Sequence, residues 1–70
     1  MNTYSEFVAY SPLTDCEMAR ISMTDERCSE YFVMIPKTRG KGYREARNNA
    51  IEMILEAIRM GLAPGEVRLQ

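Results

Sequence analysis

Apolar residues fall in short strand-like runs along the first half of the chain and at helical spacing in the second. Thr3 to Tyr10 is rich in aromatic and β-branched residues, which suit a pleated surface, and predicts a first strand. Ser11-Pro12-Leu13-Thr14-Asp15 closes it with turn chemistry. From Glu17 to Met23 the alternation is regular, with Ala19, Ile21 and Met23 on one face and Met18, Arg20 and Ser22 on the other. Thr24-Asp25-Glu26-Arg27 is polar and predicts a hairpin loop. Glu30 to Pro36 is a third strand, with Tyr31, Val33 and Ile35 opposite Phe32 and Met34. Pro36 ends it, because proline offers no ladder donor.

A basic glycine-containing loop, Lys37 to Gly42, leads into a long helix over Tyr43 to Met60. Ala46, Ala50, Met53, Ile54 and Ala57 form its stripe, and Gly61 supplies the left-handed stop. Ala63-Pro64-Gly65 turns the chain, and Val67 and Leu69 alternate as a short final strand. The order β-β-β-α-β predicts one α+β domain over residues 1–70: a three-stranded antiparallel sheet, one helix packed across one face, and a short C-terminal strand. The position of the first strand stays open at this level, since it is able to join either edge.

Apolar positions exceed what that layout buries. They span about 220° of the helix, against the 100–140° or so that one sheet face covers, which leaves Ile51 and Leu55 on the flank. The second sheet face carries Phe32 and Met34, joined by an aromatic of the first strand. Surplus of this kind predicts a protein–protein surface, for a foreign partner or for a second copy in a homodimer.

Charge adds a second asymmetry. The chain has nine basic and ten acidic side chains and a net charge of −1. Glu6, Asp15, Glu17, Asp25, Glu26 and Glu30 dominate the first half, where Glu17, Asp25 and Glu26 are candidates for contact with a basic partner. Lys37, Arg39, Lys41, Arg44 and Arg47 crowd the start of the helix, whose unpaired N–H groups already favour anions. That collar is the candidate site for phosphate or nucleic acid.

Catalytic and metal chemistry are poorly supplied. Histidine is absent, which removes the commonest general base and the commonest metal ligand. Cys16 and Cys28 match no zinc spacing, and a hairpin would hold them about 25 Å apart at ~3.3 Å per residue, too far for a disulfide. Gly40-Lys41-Gly42 lacks the rest of a P-loop. We therefore expect no enzyme, no metal, no cofactor and no small-molecule substrate. The longest apolar run, Tyr31 to Ile35, is far short of a bilayer span, and the first residues lack signal-peptide regions, so a cytoplasmic protein is expected.

Two families share parts of this pattern. Tyr43 to Leu55 resembles the last helix of a double-stranded RNA-binding domain, in which a glycine-containing loop precedes a Lys-Lys-x-Ala-Lys-x-x-Ala-Ala run. Gly40, Arg44, Ala46, Arg47, Ala50 and Leu55 fit that spacing. The resemblance implies phosphate contacts at Arg44 and Arg47. The same stretch resembles the N-terminal domain of HicB-type antitoxins through Val33, Pro36, Glu45, Ala46, Asn49, Ala50 and Glu52. That resemblance implies a domain that covers a small toxin and self-associates. Each covers about a third of the chain. The leading expectation is an antitoxin- or inhibitor-like protein-binding module, of a kind that suits a phage or plasmid accessory gene. A nucleic-acid-binding module and a structural homo-oligomer subunit are the alternatives.

Overall fold

The computed structural model describes residues 2–68. It holds β1 (Thr3–Ser11), β2 (Cys16–Thr24), β3 (Glu30–Pro36), α1 (Lys41–Met60) and β4 (Gly65–Glu66). The sheet order is β1-β2-β3-β4. The first three strands are antiparallel neighbours and β4 runs parallel to β3. The α+β class and the β-β-β-α-β order thus stand as the periodicity predicts. β1 takes the outer edge beside β2.

Both hairpins are held by their turn residues. Between β2 and β3, the Asp25 carboxylate accepts from the backbone N–H groups of Arg27 and Ser29, each at 2.9 Å. Cys28 closes the turn with φ 64°, a left-handed conformation that glycine adopts more readily. Between β1 and β2, Asp15 takes the same region at φ 53° and accepts a hydrogen bond from the Tyr10 hydroxyl. Both cysteines are free, with Cys16 at the start of β2 and Cys28 in the opposite turn.

The helix begins two residues before the expected Tyr43, after Gly40, with no side-chain cap and no acidic residue in its first turn. Its other end is well closed. Gly61 lies at φ 71° and donates to the Ile58 carbonyl at 3.1 Å, while Leu62 N–H donates to Ala57 at 3.0 Å, the two bonds of a Schellman stop. The Tyr31 hydroxyl donates to the Leu62 carbonyl at 3.0 Å and ties that end to the sheet. β4 begins two residues earlier than the expected Val67–Leu69 alternation: Gly65 and Glu66 lie beside Tyr31 and Phe32. Val67 still donates to the Phe32 carbonyl at 2.8 Å. The helix carries the chain across the sheet, so the returning strand enters parallel to β3. Leu69 lies outside the described residues.

One core results. Ala19, Ile21, Tyr31 and Val33 from β2 and β3 meet Tyr43, Ala50, Ile54 and Ala57 from the helix. Met23, Ile35, Ile51, Met53, Ile58 and Val67 pack around them. β1 contributes nothing to this core, and every residue from Thr3 to Tyr10 is exposed. Among the described residues no helix is long and apolar enough to cross a membrane.

Candidate functional site

Pairing register decides what shares a face. Ala19, Ile21 and Met23 turn toward the helix, so their partners in β1, Val8, Glu6 and Tyr4, do the same. The opposite face then carries Phe7, Arg20 and Met34 in one row and Ser5, Ser22 and Phe32 in the next. Among the described residues, no helix or strand is layered on this far face. Phe7 is 67% exposed and Met34 is 40% exposed. Between them the Arg20 guanidinium lies 3.9 Å over the Phe32 ring and pairs with Glu30 at 2.9 Å. Arginine placed over an aromatic ring, flanked by a methionine and a second phenylalanine, gives a surface of residue types enriched where proteins meet.

The sequence-derived interface residues do not form one surface. Phe32 and Met34 lie on the far face, whereas Ile51 and Leu55 lie on the helix, Ile51 half-buried and Leu55 exposed. Glu17 sits at the Tyr10 end of the sheet, and Asp25 and Glu26 occupy the β2–β3 turn. Asp25 is itself buried, and its bonds to Arg27 and Ser29 hold its carboxyl below the usual range. Asp25 thus stabilises the hairpin turn.

The basic collar divides in two. Lys37 and Arg47 are half-buried around Tyr43, with the lysine Nζ 4.1 Å from the ring centroid and the Arg47 guanidinium 6.0 Å from it. Tyr43 donates to Glu6, Tyr4 donates to the same carboxylate at 2.8 Å, and Arg47 lies 3.9 Å from it. The tyrosine hydroxyls, with Arg47 nearby, hold the Glu6 carboxyl below its ordinary value. Burial, reinforced by the Glu6 hydrogen bond, pushes Tyr43 up to about 12. Arg39, Lys41 and Arg44 remain exposed at the bare helix start. The phosphate contacts implied for Arg44 and Arg47 therefore sit differently: Arg44 faces solvent, and Arg47 is turned toward Glu6.

This cluster has no local signature, because Glu6 and Tyr43 are 37 residues apart and meet only through the fold. A cleft of about 380 Å³ opens on the other side of the helix, lined by Val33, Ile35, Ala46, Asn49, Met53 and Val67 among others. Among the described residues, no three acidic or cysteine side chains come close enough to hold a metal ion. Comparison with protein-family models, curated proteins and solved structures gave no match.

Proposed function

We propose that the protein is a small non-enzymatic protein-binding module that acts by covering a partner's surface, as an inhibitor or antitoxin does. The observation that carries this reading is the uncovered far face, where Phe7, Arg20, Phe32 and Met34 stand together without a second layer. Such a face is expensive to leave in water and is rich in the side chains that anchor interfaces. Its centre is positioned by a built contact, Arg20 on Phe32, which lowers the entropy lost on binding. The test is affinity capture with the wild-type chain beside Met34→Glu. A stoichiometric protein retained by the first and lost from the second supports the reading. Recovery of no such protein, or equal recovery by both, overturns it.

A second reading follows from Arg39, Lys41 and Arg44, three exposed cations around a helix start that carries no acid. In this reading the collar binds nucleic acid through phosphates. It predicts binding to duplex RNA or DNA that weakens with salt, with a log–log slope of about −3 for three contacts. Arg44→Ala then reduces that slope by about one and weakens all sequences alike. Absence of binding at low salt removes it.

A further inference from the structure

Among the described residues, β1 stands at the edge of the sheet with a strand on one side only. Lys37 N–H donates to the Glu17 carbonyl, so Glu17 and its alternates face β3, and the even-numbered residues of β2 face β1. Their β1 partners are Thr3, Ser5, Phe7, Ala9 and Ser11. The backbone groups of Tyr4, Glu6, Val8 and Tyr10 therefore point out of the sheet along the free edge.

Natural edge strands are blunted by proline, bulges, lysine or shortness. β1 is nine residues long, contains no proline and no lysine, and pairs with β2 without a bulge from Thr3 to Ser11. Its single charge, Glu6, is drawn toward the helix by Tyr43 and Arg47. The other edge differs. β4 and Val67 take the Tyr31–Phe32 end of β3, and Pro36 closes the far end. Addition at β1 alone gives a closed pair, where two open edges would give a filament.

The exposed area matches that reading. The chain exposes 5204 Å². A folded monomer of its mass, 8.1 kDa, exposes about 4500 Å², leaving a surplus of about 700 Å². One partner of a standard interface buries about 800 Å².

We propose that two copies of this chain pair antiparallel through β1 about a two-fold axis at Phe7, making one continuous eight-stranded sheet. In this register every outward residue has a rung, Tyr4 with Tyr10 and Glu6 with Val8 of the second copy, for about eight N–H···O bonds. Phe7 meets Phe7 on the far face in a non-hydrogen-bonded pair, where Cα atoms approach to about 4.5 Å. A two-residue shift one way sets Glu6 against Glu6, which like charge disfavours, and a shift either way loses about two of the bonds. The inference is independent of which partner the far face takes.

Sedimentation equilibrium on the full chain, from about 1 µM to about 1 mM, reads the assembly directly. The expected mass rises toward twice 8.1 kDa. Val8→Pro removes an outward N–H without touching the β1–β2 ladder, so it keeps the wild-type circular dichroism and stays at monomer mass. In a chain with both native cysteines replaced by serine, Phe7→Cys forms an intermolecular disulfide on oxidation. Ala9→Cys, which faces Ser5 of the second copy, does not. A wild-type chain that is monomeric throughout, or a dimer that fails to cross-link at Phe7→Cys, overturns the proposal. The cross-link decides even where Val8→Pro disturbs folding.

Discussion

β1 and β3 flank the same central strand, are both rich in aromatic and β-branched residues, and end in opposite situations. β3 places Tyr31 and Val33 in the core, whereas β1 exposes Tyr4, Phe7, Val8 and Tyr10. The difference lies in the helix and not in the strands. An α-helix is about 10 Å across and covers about two strands at their ~4.8 Å spacing. A short connection after Pro36 lays α1 over β2 and β3, and the return to β4 beside β3 keeps it there. β1 meets the helix through the Glu6–Tyr43–Arg47 contact, near the start of the helix. Two strands of similar composition thus have different tasks, one in building the core and the other in presenting a surface and an edge.

The sharpest way to break this contrast is to truncate an apolar side chain on each side. Ile54→Ala opens the fully buried centre and is expected to lower stability by about 2–5 kcal/mol, enough to unfold much of a domain this small. Phe7→Ala at the exposed strand is expected to change monomer stability by less than about 1 kcal/mol. Urea denaturation of the two variants at a concentration low enough to keep the chain monomeric reads the ratio. Equal losses would mean that β1 belongs to the core.

Next in size is the link between the two regions. Tyr43→Phe removes the hydrogen bond from the helix to Glu6 and is expected to cost about 1 kcal/mol, with amide protection falling in β1 before it falls in β3. The same variant has a pH signature. Because the folded Tyr43 is raised from 10.0 to about 12, its contribution is complete below pH 10 and is lost as pH rises through that interval. With no tryptophan in the chain, tyrosinate absorbance follows this directly, and the latest-titrating tyrosine should vanish in Tyr43→Phe. At the acid end the sign reverses. The depressed Glu6 and Asp25 carboxyls stabilise the fold above their unfolded values of 4.5 and 3.8, and that contribution fades as pH falls through the lower folded values.

Two backbone positions give smaller effects. Gly61→Ala forces a side chain into the left-handed stop of the helix and is expected to cost about 1 kcal/mol, a fall in Tm of about 4–8 °C. Nothing lies within 4 Å of the added Cβ, so the loss is conformational and not steric. Cys28→Gly works in the other direction at the β2–β3 turn. Relief of the φ 64° strain outweighs the added unfolded-state entropy, for a gain of about 0.5 kcal/mol in thermal melts. A loss there would assign Cys28 a packing role that its exposure does not suggest.

Local order was written plainly in the residues. Alternation at period two defines β2, a short apolar run bounded by Pro36 defines β3, and Gly61 stops the helix, since each depends on neighbours within a few positions. The α+β class and the surplus of apolar positions follow from the same short-range patterns. Part of the far face was legible too, because Phe32 and Met34 sit on the wrong side of a strand whose other side is fully apolar.

Long-range pairing decided the rest. β1 fits either edge of a hairpin by composition, and only the packing of α1 on β2 and β3, with β4 returning beside β3, leaves it the outer place beside β2. That choice brings Phe7 beside Arg20 and Glu6 beneath Tyr43, and it turns two of the five cations of the collar inward. Local propensity acts over one turn or one rung. Which strand stays bare is settled by how few strands one helix has the width to cover.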